Sequence, residues 1–260
     1  MPSDAYPLTA IDPNQPSAAR INDAILGGRH HFAADRAVVQ RAVELVPVLP
    51  AVMRANRDFL LSAVRFAVSR GIRQFLDLGC GIPADRTVHE LVQDLVPQGR
   101  VCYVDLDSAA VLHARAAVGD DPATVVLPGD LQQPDAFLLD PQLRAVLDFT
   151  EPVCILLAAV LHFVPDSPEL TAAMRRYHQV AAPGSLLAVT HATGGERPDE
   201  VERVTDLYNR TGTPMVLRDE AELAVLIDGW EPLVPGADGG PAWIGELADA
   251  MLLAVVATKR

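Results

Sequence analysis

The stretch Phe75-Leu76-Asp77-Leu78-Gly79-Cys80-Gly81 is an apolar run that ends in Gly-x-Gly. A buried strand is expected to stop there, because glycine reaches backbone conformations closed to other residues. Such a turn lets backbone N–H groups approach a ligand at the strand's carboxyl end. Taken alone, the same glycines serve tight packing of a strand end equally well. From Arg73 onward, short β-rich runs alternate with helical stretches. Strands are expected at Gln74–Leu78, Arg100–Val104, Thr124–Leu127, Val153–Ala158 and Ser185–Thr190. Helices are expected between them at Thr87–Val96, Ser108–Val118, Asp140–Leu147 and Pro168–Val180. The alternation reads as βαβ units that build a parallel sheet. The strand runs are nearly all apolar, as strands covered on both faces must be.

On either side of this core the pattern differs. Ala18, Ile21, Ile25 and Leu26 share one helical face, and Gly27-Gly28 ends that helix. Helices over Phe32–Val46 and Val52–Val68 follow, separated by Pro47 and Pro50, with Gly71 as the expected C-cap. Met1–Pro16 has acids, prolines and no apolar core of a secretory signal, and it reads as a mobile lead-in. Towards the other end, Arg218–Ile227 has a short helical period. Trp230–Val234 and Met251–Thr258 are expected to pair as an antiparallel hairpin around a loop at Pro235–Ala250. The division expected is a flexible lead and helical cap over residues 1–70, and a core over residues 71–260.

Composition narrows the function. The chain has 260 residues, half of them apolar, enough for one large α/β domain with an appendage. The formal net charge is −13 and Lys259 is the single lysine, which argues against nonspecific nucleic-acid binding. A small-molecule partner fits better. The longest apolar run, Val153–Val160 continuing to Val164, is broken by His162 and falls short of the ~18 residues of a membrane span. Cys80, Cys102 and Cys154 match no zinc spacing and are odd in number, so neither a metal site nor a disulfide framework is expected. A cytoplasmic location follows from this usage.

Two further strand ends join the first. Val101-Cys102-Tyr103-Val104-Asp105-Leu106-Asp107 ends in acids about one βαβ step later. An acid at that tip can accept hydrogen bonds from both hydroxyls of a ribose, or it can cap the next helix. Asp105 suits the ribose, and Asp107 or Ser108 the cap. Val125-Val126-Leu127-Pro128-Gly129-Asp130-Leu131 ends in Gly-Asp-Leu. There Asp130 can accept from an adenine amino group and the next backbone N–H can donate to a ring nitrogen, or Asp130 is an ordinary turn residue.

Gly-x-Gly, an acid and Gly-Asp on successive strands resemble the order found in class I methyltransferases. Longer phrases are similar to one family in particular, the S-adenosyl methyltransferases first catalogued as a domain of unknown function. These phrases are residues 16–28, Phe32-Ala33-Ala34-Asp35-Arg36, Arg54-Ala55-Asn56-Arg57, residues 71–77, residues 159–166, Thr190-His191-Ala192, and Gly212-Thr213-Pro214 with Leu217-Arg218. The sequence departs from that family at Cys80, where threonine is common, and over Ala237–Ala250. The resemblance implies a Rossmann-like α/β fold with a seven-stranded, mostly parallel sheet, helices on both faces and an N-terminal helical cap. It implies S-adenosylmethionine as cofactor and S-adenosylhomocysteine as product. The cofactor contacts it implies along the strand ends are Asp77, Gly79, Cys80, Gly81, Asp105, Leu106, Gly129, Asp130, Leu131 and Ala158. In the first helices they are Asn22, Gly28, Phe32 and Arg36, with Gly27-Gly28 open to a second reading as a helix stop. Arg57 either pairs with the methionyl carboxylate or makes a surface salt bridge.

Methyl transfer from a sulfonium needs orientation and desolvation more than acid–base chemistry. His162, after the fourth strand, is a candidate base, and His191, after the fifth, is a second. Each also reads as a packed core histidine. His30-His31 follows Gly27-Gly28 and reads as lid or solvent-facing. Two rival functions stay open. Gly79-x-Gly81-x-x-Ala84 with Asp105 satisfies the dinucleotide fingerprint of a nicotinamide oxidoreductase, against which Pro83 sits where the helix should begin. A protein that binds S-adenosylmethionine to regulate or scaffold, without turnover, is the other.

Overall fold

A computed structural model describes residues 6–195, 197–211, 213–233 and 251–260. The apolar runs form β1 Gln74–Leu78, β2 Arg100–Asp105, β3 Thr124–Pro128, β4 Cys154–Ala158, β5 Leu186–Ala192, β6 Glu231–Pro232 and β7 Leu252–Thr258. They make one seven-stranded sheet in the order β3-β2-β1-β4-β5-β7-β6. β1 to β5 pair in parallel, and β7 runs antiparallel to both β5 and β6. This is the Rossmann-like, mostly parallel α/β architecture that the resemblance implies. The hairpin is shorter than expected, since β6 keeps only two residues and one is Pro232, which has no N–H to donate. The expected loop at Pro235–Ala250 lies outside the described residues.

The helices are α1 Ala18–Ile25, α2 Ala33–Leu45, α3 Leu49–Ser69, α4 Val88–Leu95, α5 Ser108–Val118, α6 Asp135–Leu138, α7 Pro141–Val146, α8 Pro168–Val180, α9 Pro198–Arg210 and α10 Glu220–Leu226. Most start where a side chain can satisfy the free N–H groups of a first turn. Thr87 and Glu90 form a capping box on α4, Asp107 caps α5, Asp140 caps α7 and Ser167 caps α8. α3 begins three residues before the expected Val52, because Pro50 is tolerated in a first turn.

Side chains alternate across the sheet. Phe75, Val101, Tyr103 and Leu156 join a buried cluster with α1 to α5 and α9. Leu76, Leu78, Cys102 and Val104 join a second one with α6, α7, α8 and α10. The boundary expected at residue 70 does not separate two cores. α3 packs on β4, β5 and β7, so it is a layer of the fold as well as part of a cap. Nor is the lead-in detached over residues 6–17. Thr9 N–H donates to Ser108 Oγ at 2.8 Å, Ile11 packs with Ile82, Ala109 and Ala110, and Arg20 holds the carbonyls of Asp12 and Gln15.

No helix among the described residues is long and apolar enough to cross a membrane. β1 lies between β2 and β4, so the chain winds outward from there in both directions. In open α/β sheets the ligand crevice lies at such a switch point, outside the carboxyl ends of the strands.

Candidate cofactor site

A cavity of about 670 Å³ occupies that position. The ends of β1 to β4 form its floor, α1 and α3 and residues 9–17 one wall, and α9 with residues 213–215 the other. Of the contacts expected from sequence, Asp77, Gly79, Cys80, Gly81, Asp105, Leu106, Gly129, Asp130, Leu131, Ala158, Asn22 and Arg57 all line it. Gly28, Phe32 and Arg36 do not, which corrects their expected place. The Gly28 Cα faces the Asp23 carboxylate so closely that a Cβ there would overlap it. Phe32 lies under the Arg20 guanidinium, 5.2 Å from it, and its N–H donates to Asp35 Oδ2. Arg20 and Asp35 are themselves a buried ion pair at 2.9 Å. The loop between α1 and α2 is thus folded on its own polar groups, and Asp23 also accepts from the His30 N–H and meets His31 Nδ1.

The glycine turn is built on two left-handed residues, Gly79 at φ +72° and Gly81 at φ +64°. A Cβ on Gly79 would also overlap Val160, whereas Gly81 faces open space. Gly79 N–H donates to Val104 carbonyl oxygen at 2.8 Å, which ties the turn to β2. Gly81 N–H donates to Asp105 Oδ2 at 2.7 Å, and Asp107 N–H to Asp105 Oδ1 at 2.8 Å. Asp105 is therefore oriented by backbone on both oxygens, and Asp107, not Asp105, caps α5. Burial pushes the Asp105 carboxyl up to about 6, against the pull of those N–H groups.

Asp77 sits inside β1 on the α3 side, 4 % exposed, with no hydrogen-bond partner among the described residues. Burial raises its carboxyl to about 7, Arg57 opposes the shift and Asp105 adds to it. Arg57 donates to the Arg86 carbonyl, so it is neither a surface salt bridge nor fully engaged. Asn22 Oδ1 is buried without a partner among the described residues. An unpaired carboxylate, a guanidinium and an orphaned amide oxygen together suit a zwitterionic amino-acid end. At the third strand, Asp130 Oδ1 accepts from Gln132 N–H at 2.9 Å, and the Leu131 carbonyl is taken by the Tyr177 hydroxyl at 2.6 Å. Burial, Asp105 and Asp77 hold the Cys80 thiol well above its ordinary range, which leaves it inert.

The two histidines part company. His191 does not line the cavity and is fully buried. Its Nε2 faces Arg218 Nη1 at 2.8 Å and its Nδ1 the Ala192 carbonyl at 2.7 Å, so both nitrogens are occupied by structure. His162 does line the cavity, but its Nδ1 accepts from the Ala192 N–H at 3.3 Å. The proton then sits on Nε2, and burial with His191 and Arg218 nearby pushes the ring down to about 3. A neutral ring with its lone pair engaged is a poor base, which favours the packed reading of each histidine over the catalytic one.

Several site residues escaped the sequence. Ala159, directly after β4, has φ +55°, a strained value for a residue with a Cβ. Its N–H donates to Thr190 Oγ1 at 2.8 Å, and Thr190 donates to Asn56 Oδ1, so α3 and β5 together hold the bend. Asn56 left a trace, as a polar residue on the face of α3 that carries Val52 and Phe59. Ala159 left none. α9 was not read at all, and it supplies Val201, Val204 and Tyr208 to the cavity.

One feature of the turn bears on the nicotinamide reading. α4 starts at Val88, seven residues past Gly81. A pyrophosphate over the turn would have no helix N-terminus beneath it, which the dinucleotide fingerprint requires.

A family model described as S-adenosyl methyltransferase matches residues 4–257. The chain is similar to a DUF574 family protein from Streptomyces avermitilis, at 34 % identity over 96 % of this chain and 100 % of that one, with a TM-score of 0.89. It is also similar to a proposed methyltransferase from Thermobifida fusca, at 31 % identity over 95 % and 96 % of the two chains, with a TM-score of 0.86. The N-methyltransferase NodS of Bradyrhizobium japonicum, in complex with S-adenosylhomocysteine, shares the fold at 18 % identity over 80 % and 87 %, with a TM-score of 0.50. No curated protein matches. The chain thus belongs to the S-adenosyl methyltransferase family, with S-adenosylmethionine as its cofactor.

Proposed function

We propose that this protein transfers the methyl group of S-adenosylmethionine to a small-molecule acceptor by in-line displacement. The observation that carries the reading is the convergence of the Gly79–Gly81 turn, Asp105 and Asp130 on one cavity at the switch point of the sheet. In this reading Asp105 accepts from the ribose hydroxyls, Asp130 from the adenine amino group, and the Leu131 N–H donates to an adenine ring nitrogen. Asp77 takes the methionyl ammonium together with the Asn22 Oδ1, and Arg57 the carboxylate. The chain's own part is to fix the donor and exclude water, since the sulfonium is already activated. The cavity continues beyond these groups to α9, which favours turnover over a role in binding alone. A net charge of −13 with a single lysine favours a small acceptor over nucleic acid.

Calorimetric titration tests the reading, with a sign set by Asp77. Its raised carboxyl holds a proton near neutrality, while a donor ammonium favours the ionised form. Donor binding therefore releases a proton, and affinity strengthens as pH rises through about 7. We expect S-adenosylmethionine to bind about tenfold more weakly at pH 6 than at pH 8, with Asp77→Asn flattening the profile. NADH is expected not to bind. NADH binding without S-adenosylmethionine binding overturns the function, and a flat profile for the parent protein overturns the role of Asp77.

A further inference from the structure

We propose that the acceptor is an uncharged, mainly apolar ring compound, methylated on a neutral nitrogen and held against Phe163 and α9 with the Tyr208 hydroxyl as its polar contact. The inference rests on the donor reading above and extends it to the other half of the cavity. The charged side chains that line the cavity, Asp12, Arg20, Arg57, Asp77, Asp105, Asp107 and Asp130, belong to the lead-in, α1, α3 and the ends of β1 to β3. Past β4 and β5 the described lining changes character. It is made by Phe163, Val201, Val204, Tyr208, Thr213 and Met215, with no charged side chain among the described residues there. An ionised acceptor would be stripped of water in that space without a counter-charge, at a cost of several kcal/mol. The Phe163 and Tyr208 rings lie 5.7 Å apart, tilted by 35°, and offer aromatic faces to a flat partner.

Tyr208 marks where a polar atom should sit. The residue is 7 % exposed and lines the cavity, yet its hydroxyl has no hydrogen-bond partner among the described residues. That hydroxyl is accessible, and it is free to donate to or accept from a ligand atom.

Among the described residues this half offers no base, and that sets the nucleophile. His162 Nδ1 is taken by the Ala192 N–H, and the Tyr208 phenol, raised by burial, stays protonated. An alcohol or an ordinary phenol would need its proton removed near the transition state. A neutral amine or heteroaromatic nitrogen brings its lone pair ready. The N–CH3 bond forms as the S–CH3 bond breaks, the bonding pair stays on sulfur, and S-adenosylhomocysteine leaves with an N-methyl cation. That cation develops against the faces of Phe163 and Tyr208, which favour positive charge. Where the acceptor nitrogen carried a hydrogen, the proton is lost to water after release.

Three probes on one fused bicyclic frame separate the features: isoquinoline, 2-naphthol and 2-naphthoate. S-adenosylhomocysteine binding is measured first, so that a failure of the donor reading shows on its own. With the protein saturated, isoquinoline and 2-naphthol are expected to bind, and 2-naphthoate about tenfold or more weaker. With S-adenosylmethionine, isoquinoline is expected to give N-methylisoquinolinium, while 2-naphthol gives no methyl ether at pH 7. Tyr208→Phe is expected to weaken 2-naphthol binding about three- to tenfold, because the two hydroxyls meet, and to leave isoquinoline binding nearly unchanged, because its one nitrogen faces the donor methyl. Equal binding of the naphthoate, faster methylation of 2-naphthol, no binding of any of the three, or unchanged 2-naphthol affinity in Tyr208→Phe each overturns the proposal.

Discussion

Asp105→Ala is expected to lower affinity for S-adenosylmethionine by about 10²- to 10⁴-fold while the protein stays folded. The carboxylate is held by the N–H groups of Gly81 and Asp107, which leaves its remaining lone pairs for two ribose hydroxyls. Hydrogen bonds to a charged group are worth roughly 1.5–3 kcal/mol each, and two of them give the stated range. The fold is expected to survive because burial raises this carboxyl to about 6. A group so raised stabilises the folded state below its unfolded value near 4 and loses that contribution as pH rises through about 6. At neutral pH its removal therefore lifts a desolvation cost, set against the two backbone hydrogen bonds lost. Asp105→Asn keeps the shape without the charge and should fall between. Calorimetry paired with thermal melting checks this, and an alanine variant that binds within about threefold of the parent rules out the ribose assignment.

Gly79→Ala should destabilise the protein far more than Gly81→Ala, although the two glycines are neighbours in one turn. Both have positive φ, which costs a residue with a Cβ about 1–2 kcal/mol. Only at Gly79 does the new methyl overlap the Val160 side chain, and overpacking of that kind adds about 1–3 kcal/mol. The expected losses are about 2–5 kcal/mol for Gly79→Ala and about 1–2 kcal/mol for Gly81→Ala. Against a total stability of ~5–15 kcal/mol, the larger loss brings a marginal fold close to unfolding. Val160→Ala should recover part of it in the double variant, since the two sites share one contact. Denaturant unfolding of the parent, Gly79→Ala, Val160→Ala and the double variant gives the cycle, and Gly81→Ala the comparison. Equal losses at the two glycines, or no coupling to Val160, contradict the contact.

What could be read from the sequence follows from where its signals are local. A parallel strand announces itself as a continuous apolar run, and its end by a glycine or an acid. Gln74–Leu78 emerged with the expected bounds, and Arg100–Val104 and Thr124–Leu127 each gained one residue. α9 was legible but missed. Val201, Val204, Leu207 and Tyr208 recur at helical spacing among charged neighbours. Its Pro198, Asp199 and Glu200 at the start and Arg210 at the end were the available signs. Gly28 and Phe32 were misplaced because their positions depend on the buried Arg20–Asp35 pair and on Asp23, contacts made across the fold of a loop. The histidines show the same limit. Residue type left His162 and His191 open between base and packed core residue, and the partners that bear on the choice, Ala192 for His162 and Arg218 for His191, come from distant positions in the chain. The strap over residues 6–17 depends on Ser108, about a hundred residues away, and nothing local foretold it.

The central claim is that three strand ends hold three parts of one donor molecule. A crystal structure of the protein with S-adenosylhomocysteine tests it most directly. The account predicts the ribose hydroxyls on Asp105, the adenine between Asp130 and the Leu131 N–H, and the homocysteine end at Asp77, Asn22 and Arg57, with the sulfur facing the space toward Phe163 and Tyr208. A ligand seated elsewhere, or a ribose out of hydrogen-bond reach of Asp105, would contradict it.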